Sequence, residues 1–264
     1  MTEFVVTEAV VTPLPITGER TVPGLPRENY WFRRHEAAYR VLLEEIYGDI
    51  VLEIGAGEGY GAALLSARAQ RLIALDYDRA TIAHLARRYV GARLTPVQAN
   101  LASLPITDRS VDVIVCLQVI EHVWDHPQFV LECRRVLRPG GRVVISTPNR
   151  LSFSPDSDGT QHPQNPFHSH EFIAAELSDL LRSCDLSIDS VRGLDAGPAL
   201  VELDSRYAAA GYRSFVDAQL SCPPTEWGAE LADDVSSVSV TDFTISDPVT
   251  DECLDLVVSA RRPV

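Results

Sequence analysis

The stretch Ile50–Gly61, IVLEIGAGEGYG, decides how the rest of the chain is read. A short apolar run carries Glu53 near its end, and glycines then recur at positions 55, 57, 59 and 61. This pattern predicts a buried strand that breaks into a tight turn and opens a helix. Glycine suits such a turn because it lacks Cβ and enters positive φ, so backbone amides at the helix start can approach a ligand. Gly57, Gly59 and Ala62 also meet the relaxed G-x-G-x-x-A spacing of a dinucleotide site, so the glycines alone leave nicotinamide and other nucleotide-type ligands open.

Downstream of the turn, residues 59–69 read as a helix and RLIALD, Arg71–Asp76, as a second buried strand ending in an acid. Asp76 follows the first glycines by about twenty residues, the offset at which an acid after the second strand accepts hydrogen bonds from a ribose diol. A helix over 79–90, a strand over 93–97 leading to Asn100 and Leu101, a strand over 111–118 and a helix over 125–137 follow. The turn Arg138-Pro139-Gly140-Gly141 then introduces a fifth strand, GRVVISTP. Strands alternating with helices imply a parallel sheet covered on both faces. Residues 151–168, rich in Ser, Pro, Asp and Asn, read as a long loop over the site, followed by a helix over 171–183 and a sixth strand over 186–192. A helical insertion at about 193–250, with patches near 199–220 and 224–238, separates this strand from LDLVVSARR at 254–262, the expected last strand. Acceptor specificity or a homodimer contact would be built on that insertion.

Upstream, the segment through Pro13, Pro15, Pro23 and Pro26 reads as an irregular arm with a turn at Thr17-Gly18-Glu19-Arg20. A helix from Asn29 to Gly48 is expected, capped by those two residues, with Trp31, His35, Ala38 and Leu42 near one face. Residues 1–48 would therefore cap a site carried by residues 49–264. Arg33 and Arg34 read as a solvated helix face.

The composition bounds the function. Thirty-seven acidic against 23 basic residues give a formal net charge of −14, a field that repels phosphate backbones, so no nucleic-acid partner is expected. No apolar run approaches the length of a membrane span, and MTEFVVTEAVV lacks a basic n-region and a small-residue cleavage site, so a cytoplasmic location is expected. Cys116, Cys133, Cys184, Cys222 and Cys253 show no CxxC spacing and read as buried thiols.

Several motifs taken together narrow the ligand. Glu53 ahead of Gly55, then Asp76, NLASLPITDRSVDVIVCLQVIEHV (100–123) and LRPGGRVVISTPN (137–149) resemble the class I S-adenosylmethionine (SAM)-dependent methyltransferases over roughly residues 50–192. The resemblance implies an α/β, Rossmann-like fold: a seven-stranded, mostly parallel sheet whose last strand runs antiparallel at the edge, with helices on both faces. It also implies a cofactor set of Glu53 near the ammonium, Gly55 and Gly57 under the amino-acid portion and ribose, Asp76 on the ribose hydroxyls with Tyr77 beside it, Asn100 and Leu101 bordering the adenine, and Gln118. TGERTVPG (17–24), ENYWFRRHEAAY (28–39), TPNRLSFSP (147–155) and NPFH (165–168) are similar to actinobacterial sugar O-methyltransferases that make methylglucose lipopolysaccharide and methylmannose polysaccharide. That narrower resemblance implies a small carbohydrate acceptor, a mannoside or glucoside hydroxyl.

Methyl transfer is an in-line displacement, and a sugar hydroxyl is so weakly acidic that it needs a general base, a metal ion, or both. QVIEHVWDH, at the carboxyl end of the fourth strand, offers Glu121 and His122, and His168 comes from the later loop. One glutamate and two histidines suit Mg²⁺ or Mn²⁺ better than structural zinc, because no thiol joins them. Relatives with E-x-x-E-H bind such ions, and Gln118 stands here at the first acidic position. The same residues also fit a pair packed against the sheet with a loop histidine, while His122 or His168 is the expected base. Trp124 and Trp227 offer faces for a sugar ring or for core packing. Methylation of a lipid quinone or other small-molecule hydroxyl, a nicotinamide reductase, and a non-catalytic SAM-binding regulator are the alternatives; no Tyr-x-x-x-Lys pattern of a reductase follows the fourth strand.

Overall fold

Strand β1 (Ile50–Ile54) lies at the centre of the sheet with Val51, Leu52 and Ile54 fully buried, which explains its unbroken apolar run: a parallel interior strand is covered on both faces. The structure is a computed structural model that describes residues 14–15, 20–89, 93–163 and 165–264. The arm through Pro13 and residues 17–19 of the expected turn lie outside the described residues, as does the last residue of the helix expected over 79–90.

In chain order the elements are α1 (Asn29–Leu43), β1, α2 (Tyr60–Ser66), β2 (Arg71–Asp76), α3 (Arg79–Arg88), β3 (Leu94–Gln98), β4 (Val111–Leu117) and α4 (His126–Val136). They continue with β5 (Leu137–Pro148), α5 (Arg150–Phe153), α6 (Ala174–Ser183), β6 (Ser187–Ala196), α7 (Pro198–Ala209), α8 (Phe215–Leu220), α9 (Ala229–Ser237), β7 (Phe243–Ser246) and β8 (Asp255–Arg261). The sheet order is β3-β2-β1-β4-β5-β8-β6-β7. Strands β1 to β5 are parallel, with Glu53 opposite both Ala74 of β2 and Val115 of β4. Tyr39, Leu65 and the insertion's Tyr207 and Phe215 pack on one face of the sheet, and Phe129, Cys133, Leu177 and Leu181 on the other.

Four expectations are corrected. The last strand is antiparallel, but it is inserted between β5 and β6 rather than placed at the edge. The sheet has eight strands, because Phe243–Ser246 of the insertion pairs antiparallel with β6 and takes the edge. The Arg138–Gly141 segment is a bulge within β5: Val111 pairs with Leu137 and Val113 already with Arg142. Helix α1 stops at Leu43, and Asn29 caps another helix, its Nδ2 donating to the carbonyls of Val235 (3.1 Å), Ser236 (3.0 Å) and Val238 (2.7 Å) at the end of α9.

Arg34 contradicts its reading as a solvated residue. It is buried, with Nε donating to Asp255 Oδ2 at 2.8 Å and Nη2 to Oδ1, and its guanidinium lies 4.5 Å from the Phe153 ring centroid. Cys116, Cys133, Cys184 and Cys253 are buried free thiols, and Cys222 is half-buried.

Candidate active site

The turn after β1 forms as its glycines require. Gly55, Gly57 and Gly59 have φ of +78°, +51° and +83°, and the Gly55 and Ala56 amides donate to Leu75 O at the end of β2. A Cβ on Gly55 would stand 2.3 Å from Val119 Cγ2, so nothing larger fits between the turn and the end of β4. Asp76 ties the turn to β2: its Oδ2 accepts from the Gly57 amide and its Oδ1 from the Asp78 amide, both at 3.0 Å. Each carboxylate oxygen keeps a second lone pair for a diol.

These residues face a cleft of about 1210 Å³ at the carboxyl ends of β1, β2 and β4, where open α/β sheets bind ligands. Gly55, Gly57, Asp76, Tyr77, Asn100, Leu101, Gln118 and His122 all line it. Tyr77 is 79% exposed and presents an open ring face, and Asn100 Oδ1 accepts from the Ala102 amide at 2.9 Å, which shapes the neighbouring turn. Gln118 adopts φ +56°, a left-handed conformation uncommon outside glycine, at the point where β4 leaves the sheet.

Glu53 is buried and does not line the cleft itself; Tyr39, which does, donates to Glu53 Oε1 at 2.8 Å. Among the described residues Oε2 has no hydrogen-bond partner. Burial pushes this carboxyl up to about 8, against the Tyr39 hydrogen bond that favours ionisation. A buried carboxylate oxygen without a donor suits a cationic ligand. Because the folded-state pKa lies above the unfolded value of about 4.3, the stability contributed by this group is full below that value and is lost as pH rises through about 8. Thermal melts of ligand-free protein from pH 5 to 8.5 should therefore fall more steeply for the parent than for Glu53→Gln; parallel slopes would contradict the burial assignment.

A second group lies beyond β4. Carboxylate and imidazole atoms of Glu121, His122 and His168 all lie within 4.8 Å of one another. Glu121 is buried, its Oε2 accepts from Thr147 Oγ1 at 3.1 Å, and burial pushes its carboxyl up to about 7. His122 Nδ1 lies 3.0 Å from the Phe167 carbonyl, which can only accept, so Nδ1 carries a proton and Nε2 is the nitrogen that is basic in the neutral ring. His168 is held on both nitrogens, Nδ1 by Glu171 Oε1 (3.0 Å) and Nε2 by Asn165 Nδ2 (2.9 Å). The Asn165 amide is oriented by the Phe167 N–H, which donates to its Oδ1, so His168 Nε2 is an acceptor. His122 lines the cleft, whereas Glu121 and His168 stand behind it.

The N-terminal segment, α1 and the first residue of α2 contribute cleft residues that periodicity did not reveal. Arg20, Thr21, His35, Tyr39 and Tyr60 all line it. His35 Nδ1 lies 3.2 Å from Tyr60 Oη, which lies 2.9 Å from Thr21 Oγ1, and burial with the nearby Arg34 charge lowers its pKa to about 3, so the imidazole is neutral. Arg20 bonds Thr81 Oγ1 at 2.9 Å and its stem passes over Gly57. The tryptophans divide: Trp227 is packed with Nε1 donating to Gln219 and Cys222 carbonyls, while Trp124 lines the cleft and is 86% exposed.

Comparison with known proteins agrees with this geometry. A family described as "Methyltransferase domain" matches residues 52–145. A protein of Mycolicibacterium smegmatis named a probable S-adenosylmethionine-dependent methyltransferase is 48% identical over 97% of this chain and 98% of its own length. One from Mycobacterium tuberculosis with the corresponding name is 46% identical over 95% of this chain and 90% of its own. A ubiquinone biosynthesis O-methyltransferase of Rickettsia prowazekii is 34% identical over 56% of this chain and 64% of its own. Among solved structures, an S-adenosylmethionine-dependent methyltransferase from Mesorhizobium loti superposes with TM-score 0.56 at 18% identity, covering 87% of this chain and 98% of that one. The [4+2]-cyclase SpnF superposes equally well, with TM-score 0.56 at 19% identity over 87% of this chain and 82% of its own, so the fold by itself does not name a reaction. Among the described residues no helix is long and apolar enough to cross a membrane.

Proposed function

This chain belongs to the family of S-adenosylmethionine-dependent methyltransferases, and we propose that the acceptor it methylates is a carbohydrate hydroxyl, a mannoside or glucoside, with His122 as general base. The observation that carries the acceptor is Trp124: a large indole left 86% exposed on the wall of the cofactor cleft, two residues after His122, offers a stacking face for a sugar ring. The same cleft suits a neutral polyol, since Thr21, Tyr60 and the uncharged His35 on its lining supply hydroxyl and imidazole groups.

When bound, SAM supplies an electrophilic methyl group on its sulfonium. Asp76 would take the ribose hydroxyls, Tyr77 and Leu101 the base, and Glu53 the ammonium, which its unpartnered Oε2 suits. The acceptor hydroxyl gives its proton to His122 Nε2, because Nδ1 is held protonated by the Phe167 carbonyl. The resulting imidazolium is stabilised by the neighbouring Glu121 carboxylate.

Glu121, His122 and His168 also form a donor set for Mg²⁺ or Mn²⁺, with imidazole favouring the latter. Such an ion would lower the pKa of a bound hydroxyl. Ligation through His168 Nε2 would exchange its bond from Asn165. Turnover that falls on chelation and returns with Mn²⁺ supports the ion; turnover indifferent to chelator removes it.

The test of the acceptor is methyl transfer from labelled SAM to short mannosides and glucosides. The ubiquinone O-methyltransferase relatives favour a second reading, a phenolic acceptor, so a catechol belongs in the same assay. Product on the catechol alone would overturn the carbohydrate reading. Trp124→Ala should raise KM for the glycoside about 2–10-fold with little change in kcat, the size of an aromatic stacking contribution; an unchanged KM would remove the stacking role.

A further inference from the structure

We propose that Asp255, fixed by Arg34, is a positioning residue for the methyl-donor site: it turns the Gln118 amide so that its carbonyl oxygen faces the donor's ammonium group. Neither Arg34 nor Asp255 belongs to the glycine turn, the Asp76 strand end or the histidine group. They are buried at 2% and 1% exposure, one on α1 and one opening β8, 221 residues apart in the chain. Such a pair is desolvated on both sides and adds little net stability.

The pair's role lies in what the carboxylate does with its remaining lone pairs. Asp255 Oδ1 accepts from Gln118 Nε2 at 3.1 Å, and the same nitrogen donates to Ser146 Oγ at 3.2 Å. Both Asp255 oxygens already accept from Arg34, Oδ2 from Nε and Oδ1 from Nη2, so the carboxylate offers Gln118 only an acceptor. The NH₂ end of the amide must therefore turn to Asp255. Oε1 is the end left over, on a residue that lines the cleft.

The backbone puts that oxygen on the donor's side. Ile54 of β1 pairs with Cys116 of β4, so Gln118 stands two residues on, alongside the glycine turn, and Val119 packs directly against Gly55. A carbonyl oxygen here attracts an ammonium group, whereas a reversed amide would meet it with N–H. The left-handed backbone of Gln118, φ +56°, is the strain held in place by these bonds.

Calorimetric titration with S-adenosylhomocysteine and with its analogue lacking the amino group tests this without any acceptor, so it stands apart from the carbohydrate reading. Gln118→Leu is expected to weaken S-adenosylhomocysteine about tenfold, the scale of a hydrogen bond to a charged group, and to leave the deamino analogue unchanged. The paired variant Arg34→Met/Asp255→Leu, which removes both charges together, should show the same loss. Adding Gln118→Leu to it should weaken binding no further. Should the pair fail to fold, Arg34→Gln/Asp255→Asn removes both charges with polar side chains and carries the same expectation, because an amide at 255 no longer dictates which end of Gln118 faces it. Affinity within twofold of the parent in Gln118→Leu, equal loss for the deamino analogue, or losses that multiply in the combined variant would each overturn the proposal.

Discussion

Replacing His122 with alanine is expected to lower the methyl-transfer rate by about 10²–10⁴-fold, the usual contribution of a positioned base, with S-adenosylhomocysteine binding retained. The hydrogen bonds set apart the two histidines that the sequence leaves as equals. His122 lines the cleft wall, while His168 stands behind it with Nδ1 bonded to Glu171 and Nε2 to Asn165. His168→Ala should therefore slow turnover less than His122→Ala. Equal losses in the two variants, together with sensitivity to chelator, would reassign both to holding an ion. An unchanged rate in His122→Ala would end its role as base.

Gly55→Ala is expected to have the largest effect on both stability and cofactor affinity. The added Cβ would stand 2.3 Å from Val119 Cγ2, on a backbone at φ +78° that disfavours any side chain. Overpacking and left-handed strain each amount to about 1–3 kcal/mol. At that scale the thermal midpoint should drop by about 10 °C in a chain of this length. The turn must shift to relieve the contact, which moves the Gly57 amide away from Asp76, so S-adenosylhomocysteine binding should fall with it. Val119→Ala in the same chain removes the collision but not the strain, and should recover part of the lost midpoint. No recovery would place the damage in the backbone conformation alone.

The fold was most legible where burial on both faces leaves a simple sequence trace. Arg71–Asp76 is read with the observed bounds, and the glycine turn and Asp76 meet as their spacing implies. Strand β7 escaped because four residues between acids carry no period, and it forms only where Phe243 can pack against Tyr30, ring centroids 5.6 Å apart. Arg34 read as solvated for a similar reason: its partner Asp255 is 221 residues away, and periodicity registers the charge but not the neighbour that neutralises it. His35 was legible only as one residue of a helix face with Trp31, Ala38 and Leu42; what places it on the cleft is the path of the segment before α1, which brings Thr21 to Tyr60. Trp124 could not be separated from Trp227 by residue type, because the difference lies in what surrounds each ring: carbonyl acceptors for one, open cleft for the other.

The cap that Asn29 places on α9 bears on the order in which the molecule can be assembled. This side chain binds carbonyls more than 200 positions later, and the Arg34 bond spans a similar distance, so the helix that walls the cleft is fastened to segments made long after it as well as to Glu53 nearby. During synthesis the sheet from β1 to β5 can form while α1 still lacks these anchors. A ribosome-bound chain halted before β8 would thus carry the glycine turn without Asp255 to orient Gln118.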